Sequence, residues 1–489
     1  MNRMGNISVI LTEGERAVKN TTRKLGILAA AVAFVSIGSM AHAQSDILYD
    51  WKATTPGSAP VTGYTPAPFL TDANAAAVAT QLTATPAGSV AVKIQAPISP
   101  TTTALIFNNP AFSVNYAFLD FEVGQTPAGS GSSNTALAQS QAQAIHAQTK
   151  GAGTYVGNFR LFPGNGDTSG PGAGPSTAEY TSGGATGVNM ANEDLYPGSP
   201  FYQNPSQVGG TSPSPNIRSA LFVQPINRAS FVTGNLPAGN LHVPYVNRFN
   251  NAGNAALDTD GNASNGYRFD NPTHDQMLSR GDFSAMVAHE RLRGVNGVHL
   301  LDGGVVGYTQ AQFEQDAKDG FTFAPIASIF SGGNAKLATL ATTSQLVTDR
   351  TAGTVVDTPN DQSGVVYSGV YSLTQTDSRL AGSTGKLALL LSNLSETSHD
   401  ITFPGKIGGK NVVLGNTSGV LPKGFATIGA GQHELLEFAG VGLNWSLVNT
   451  QVVFTDSDRS GVGVPEPVAM GGAAIFAVAM MFRRRRSTK

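Results

Sequence analysis

The sequence predicts an α/β domain that continues into an antiparallel β-sandwich, and two observations carry that prediction. Between residues 104 and 320, apolar runs of strand length alternate with helix-forming runs of three- and four-residue periodicity, the beat of a parallel sheet flanked by helices. From residue 362 onward, short apolar runs recur roughly every ten residues, parted by Gly, Asn and Ser turns, with no helix-length segment between them. The alternative is a mainly β multidomain surface protein, because long Gly-, Ser-, Thr- and Asn-rich stretches interrupt the first pattern. The 489 residues include no cysteine, which excludes disulfides and thiolate metal ligands, and a chain of this length can bury its cores by packing alone.

Taken in order, "SDILYDWKA" is the first candidate strand, and the rest of residues 44–105 alternates only weakly. Residues 117–123 of "ALIFNNPAFSVNYAFLDFEVG" read as a strand that rises to two acids. Residues 136–149 of "NTALAQSQAQAIHAQTKG" are good helix formers, closed by Lys150 and Gly151. "TYVGNFRLFPG" follows as a strand. Residues 164–216 have few apolar anchors and read as loop or insertion. "RSALFVQPI" (218–226) reads as a short buried strand before a second polar insertion. In "GDFSAMVAHERLRGVNGVHLLDGG", Asp282 is the expected cap of a helix carrying Phe283, Met286, Val287 and Glu290 on one face, and Gly294 its end. The strand over residues 298–301 then delivers Asp302 at its C-terminal end. In "YTQAQFEQDAKDG", Thr309 and Gln312 form a capping box, Phe313 and Ala317 face inward, and Gly320 is the expected stop. Seven short strands follow, from "GVVYSGVYSLTQ" to "NWSLVNTQVVFTD".

The two ends of the chain read as signals. Lys19, Arg23 and Lys24 precede the apolar "LGILAAAVAFVSIGSM", and "AHA" supplies small residues before Gln44, the pattern of a secretory signal peptide cut by signal peptidase. At the other end stands "GVPEPVAMGGAAIFAVAMMFRRRRSTK". Its apolar run, residues 468–482, is about 22 Å long as a helix against a hydrocarbon core of roughly 30 Å. Four arginines behind it favour the cytoplasmic side. The order Val464, Pro465, Glu466, Pro467, short apolar span, then Arg483, Arg484, Arg485 and Arg486 resembles the PEP-CTERM sorting signal. That resemblance implies a precursor held transiently in the inner membrane until an exosortase-type enzyme cuts near the Pro-Glu-Pro residues, and a product at the cell surface or outside the cell, in association with extracellular polysaccharide. The organisation expected is therefore a signal peptide (1–43), an α/β domain (44–345), a linker (346–361), a β-sandwich (362–458) and a sorting segment (459–489).

Over residues 44–467, 20 Lys and Arg stand against 30 Asp and Glu, a net charge near −10. Such a surface repels nucleic acid, whose binding needs clustered cations. An exported α/β domain ahead of a small sandwich is similar to a familiar layout of glycan-active enzymes, in which a (β/α)8 barrel carries the chemistry. What that layout implies is a glycoside hydrolase-like reaction run by paired carboxylates. Asp120 and Glu122 lie two apart on one strand, so their side chains share a face with origins roughly 6 to 7 Å apart, within the range that glycoside hydrolysis uses. Glu122 would be the proton donor, Asp120 its partner, and Asp302 a third acid from another strand end. The bland reading assigns all three to strand caps, Ca2+ ligation or solvent.

Other motifs are weaker. "HERLR" at His289 and "HELLE" at His433 lack the second histidine of a zinc helix, and a site from His242, His274, His289 and His299 would need the fold to gather them. "DTDGNASNG" offers Asp258, Asp260 and Asn262 as oxygen ligands for Ca2+, without the acid that closes a helix-loop-helix calcium site; no motif calls for any other cofactor. Two functions follow: a non-enzymatic cell-surface or matrix protein, favoured by the loops, the acidity and the tail, and a polysaccharide-acting hydrolase, favoured by the layout and the Asp120 and Glu122 pair.

Overall fold

The computed structural model describes residues 47–50, 65–121, 131–160, 187–195, most of 222–246, 278–300, 310–331, 335–338, 348–349, 354–355, 365–374, 384–394, 397–403, 405–414 and 425–455. The first part of these is a parallel sheet interleaved with helices: β1 (Ile47–Asp50), β2 (Thr65–Pro66), α1 (Ala75–Thr83), β3 (Ala91–Ile94), α2 (Pro100–Phe107), β4 (Tyr116–Leu119), α3 (Gly131–His146), β5 (Tyr155–Arg160), β6 (Met190–Leu195), β7 (Leu241–His242), β8 (Tyr245–Val246), α4 (Arg280–Leu292), β9 (Gly297–Leu300), α5 (Gln310–Phe321) and α6 (Ala324–Phe330). Hydrogen-bonded neighbours run β2-β1-β9-β8-β6-β5-β4-β3, with β7 also beside β6, and the pairs are parallel. The two ends of that order meet as well. Phe69 makes a parallel bridge to Lys93, with Leu70 N donating to Lys93 O at 2.7 Å and Lys93 N to Pro68 O at 3.0 Å. Parallel strands need both faces covered. Val92, Ile94, Ala117, Leu119, Val156 and Ala191 pack on one face against Val78 and Leu82 of α1, Ile106 and Phe107 of α2, and Ala138, Ala142 and Ile145 of α3. Ala91, Tyr116, Phe118, Met190 and Val243 fill the other.

The helices form for local reasons. Apolar residues at three- and four-residue spacing face the sheet in α1 and α3. Pro100 opens α2 at a position where the missing N–H costs nothing, and the Ser99 hydroxyl accepts from Thr102 N. In α4 the cap is Ser279, whose hydroxyl accepts from Asp282 N at 3.0 Å, so Asp282 sits in the first turn and not at the cap. Gly320 lies inside α5 and does not stop it: a Cβ there would stand 2.1 Å from Ser284 O of α4, so glycine is what lets the two helices approach. The expected strand over 218–226 is also corrected. Phe222, Ile226, Ala229 and Ser230 are helical, and their four- and three-residue spacing buries one face among Val246, Val298 and Leu300.

Two further sheets follow. One has the order β10 (Ala335–Ala338), β13 (Val365–Thr374), β14 (Thr384–Asn393), β19 (His433–Val441), β20 (Asn444–Val453), β17 (Lys410–Val413), β16 (Lys406–Ile407). The other has β12 (Thr354–Val355), β11 (Thr348–Asp349), β15 (His399–Thr402), β18 (Ala426–Ile428). The pairs are antiparallel except β17 with β20. Tyr367, Leu389, Leu391, Leu436, Phe438 and Trp445 of the larger sheet share a core with Ile401 and Ile428 of the smaller. The opposite face of the larger sheet, Val370, Ala388, Leu390 and Leu435, packs on Ala288 and Leu292 of α4 and on Ile326 and Ile329 of α6. Consequently α4 is covered on all sides: Gly281 through Leu292 are buried, among them the charged Asp282, Glu290 and Arg291.

Among the described residues no helix is long and apolar enough to cross a membrane. The signal stretch, Val464, Pro465, Glu466, Pro467, the apolar run 468–482 and Arg483, Arg484, Arg485 and Arg486 lie outside those residues.

Candidate binding site at the strand ends

Strand alternation decides which side chains meet on the sheet face turned away from the helices. Val92 and Ile94 of β3 face the helices, so Lys93 between them points the other way; Ala117 and Leu119 of β4 put Phe118 there, and Asp120, the residue after the strand, continues the alternation. Asp120 N still donates to Ile94 O at 2.8 Å, which keeps it in register beyond β4. Asn192 of β6, Tyr245 of β8 and His299 of β9 arrive in the same way, since their neighbours Ala191, Val246, Val298 and Leu300 pack among the helices.

These groups form a buried polar layer near the C-terminal ends of the strands. Lys93 Nζ lies 3.3 Å from Asp120 Oδ2, both side chains essentially without solvent exposure. Gln95 Nε2 donates to the same oxygen at 3.1 Å. The Lys93 ammonium stands 5.1 Å from the Phe69 ring centre and 5.8 Å from that of Tyr245, close enough for attraction to both ring faces. His299 is stacked on Tyr245 at 4.1 Å and tilted against Phe118 at 4.7 Å. Burial, and then the charge of Lys93, hold the His299 imidazole well below its usual pKa, so it is neutral at physiological pH. Asn192 Nδ2 donates to Val243 O. Two buried acceptors, Asp120 Oδ1 and Asn192 Oδ1, have no hydrogen-bond partner among the described residues. Chemically the layer offers acceptors beside one cation, with aromatic faces around them.

Of the acids singled out from the sequence, Asp120 is in this layer. Glu122 and Asp302 lie outside the described residues, as do Asp258, Asp260 and Asn262. Among the described residues no group of three or more metal-ligating side chains could hold an ion. The described histidines do not converge. His299 is in the layer, His242 Nδ1 is 2.8 Å from Thr233 Oγ1, and His289 lies with His433 between α4 and the larger antiparallel sheet, while His274 is outside the described residues. Sequence reasoning missed Lys93, Asn192 and Tyr245. The signal for Lys93 was there: a lone cation inside the apolar run "VAVKI" has to find a buried partner.

No protein-family model matches the chain, and no curated protein matches it. Among solved structures, a chitinase-like agglutinin from Robinia pseudoacacia is similar at 13% identity over 56% of this chain and 99% of its own, with a TM-score of 0.32. A class V chitinase from Pseudomonas fluorescens is similar at 12% identity over 53% of this chain and 81% of its own, with a TM-score of 0.28. Likeness at this level leaves function to the site.

Proposed function

We propose that this is an exported cell-surface protein whose parallel sheet closes as a (β/α)8-type barrel and whose buried polar layer receives part of a polyhydroxylated ligand, a segment of extracellular polysaccharide. The observation that carries the reading is the Asp120 carboxylate. One oxygen is held by Lys93 and Gln95, and the other is buried at a strand end without a partner among the described residues. An acceptor left so costs about 1–3 kcal/mol unless a donor reaches it. Ligand hydroxyls are such donors, and the C-terminal ends of parallel strands are where ligands enter this architecture. The bridge between Phe69 and Lys93 supports closure of the sheet. Delivery rests on the signal-like N-terminus and the Pro-Glu-Pro, apolar and arginine sequence at the C-terminus, with signal peptidase and an exosortase-type enzyme as processing partners and transient inner-membrane association of the precursor. Calcium enters this reading only as an ion with Asp258, Asp260 and Asn262 as its oxygen ligands.

The test is calorimetric titration of the exported region with soluble oligosaccharides from the producing cell's own matrix. Asp120→Asn, assayed at a temperature where circular dichroism shows it folded despite the unpaired Lys93, should weaken binding at least tenfold. Binding of the variant within twofold of the unaltered chain would discard the site.

A second reading, hydrolysis, is favoured by one feature: Glu122 stands two residues beyond Asp120 in the sequence, the spacing of a carboxylate pair on one strand face. Here Glu122 protonates the leaving oxygen, with Asp120 its partner and Asp302 a third acid. Glu122→Gln should then abolish release of reducing ends while folding is unchanged; turnover retained within a few-fold removes Glu122 as the acid.

A further inference from the structure

Between α4 and the larger antiparallel sheet lies a continuous chain of buried hydrogen bonds. Arg293 Nε donates to Ser368 Oγ at 2.6 Å; Ser368 Oγ is 2.8 Å from His289 Nδ1; His289 Nε2 is 2.8 Å from Ser392 Oγ; Ser392 Oγ is 2.8 Å from His433 Nδ1; and His433 Nε2 is 3.0 Å from Asp282 Oδ1. Arg293 is further held by Ser230 Oγ at 2.8 Å and Tyr367 O at 2.6 Å. All six linked residues are buried. They come from α4 and the residue after it (Asp282, His289, Arg293), β13 (Ser368), β14 (Ser392) and β19 (His433). The Phe222 ring stacks on His433 and meets His289 edge-on, both at 5.7 Å.

With both rings neutral, the ends fix the direction of every proton. A guanidinium only donates and a carboxylate only accepts. Starting from Asp282, His433 must carry its proton on Nε2, so its Nδ1 accepts from the Ser392 hydroxyl, and Ser392 in turn accepts from His289 Nε2. Starting from Arg293, Ser368 accepts from the guanidinium and donates its hydroxyl proton to His289 Nδ1. The two derivations meet at one tautomer for both rings. Asp282, His433 and Ser392 have the connectivity of a nucleophilic triad, but a fully buried serine meets no substrate.

We infer that this one-directional relay is an acid-labile clamp between the helix layer and the β-sandwich, closed while both imidazoles are neutral and opened when His289 takes up a proton. A proton on His289 Nδ1 would take away the acceptor that the Ser368 hydroxyl proton has in the relay, and would set two cations side by side out of water. The charged or titratable groups of the relay that face His289 are Arg293, His433 and, through His433, Asp282; β13 and β14 supply only hydroxyls. Burial first, then Arg293 and His433, hold the His289 pKa well below its usual value. The sign follows: with the folded pKa depressed, the clamp contributes fully above the unfolded value of about 6.5 and loses its contribution as pH falls below that toward the folded value.

The test uses the full chain labelled with 15N-histidine. At pH 7.5 the two rings, assigned by comparison with Ser392→Ala, should both show the neutral form protonated on Nε2. The urea midpoint should fall between pH 7.5 and 5.5, and His289→Met should remove a measurable part of that fall. A charged ring or an Nδ1-protonated neutral ring at pH 7.5 would overturn the relay. A midpoint with the same pH dependence in His289→Met as in the unaltered chain would overturn the clamp.

Discussion

A lysine in the middle of an apolar strand is the residue-scale problem that this fold solves. Lys93 is tolerated because alternation turns it away from the helices and toward Asp120, Phe69 and Tyr245. Removing one partner of such a pair leaves the other charge buried, at a cost of about 3–5 kcal/mol, whereas removing both together costs much less. Lys93→Met alone should therefore lower the urea midpoint sharply, and Lys93→Met with Asp120→Asn should recover most of the loss. A double variant no more stable than the single one would show that the pair is not what holds Lys93 in place. The sequence singled out Asp120 as one of a carboxylate pair at a strand end, and the structure sets it beside Lys93. Lys93, Asn192 and Tyr245 were not read, because each lies far from Asp120 in sequence and reaches the same sheet face only through strand pairing.

At the scale of elements, spacing foretold α3, α4, α5 and nearly all of the late strands, but not α1, α2 or α6. The errors fell where a contact outside the segment sets the role of a residue. Gly320 reads as a helix stop, yet Ser284 O of the neighbouring helix stands where its Cβ would be. Alanine is intrinsically better in a helix than glycine by about 1 kcal/mol, but forcing α4 and α5 apart costs roughly 1–3 kcal/mol, and Ser284 Oγ donates to Asp316 O at 2.9 Å across the same crossing. Gly320→Ala should thus destabilise the protein in chemical denaturation. A stabilised variant would mean that the helices separate freely. The segment around Phe222 was misread for a related reason: its apolar residues fit either period over so short a run, and only the packing face at Phe222, Ile226 and Ala229 selects the helix.

For the whole molecule, the consequential fact is that α4 belongs to two cores at once. Phe283, Met286 and Val287 pack toward the parallel sheet and α5, with Val366 and Leu394 of the antiparallel sheet in the same cluster, while Ala288 and Leu292 pack under Val370 and Leu390. The described parts should therefore unfold together. Calorimetry of residues 44–458 should show one cooperative transition whose van't Hoff and calorimetric enthalpies agree, and two resolved transitions would show that the sandwich stands alone.

By itself, the sequence determined the succession of an alternating strand-helix part and a strand-only part, the acidic character of residues 44–467 and the signal-like ends, because these depend on local periodicity, composition and charge. Only the tertiary structure decided that the polar helix "RGDFSAMVAHERL" is buried on every side, that Lys93 faces Asp120, and that His289 and His433, 144 positions apart in the numbering, belong to one hydrogen-bond chain. The reason is that periodicity tells which face of an element is apolar, but the partner of a polar side chain is set by which distant segment packs over it.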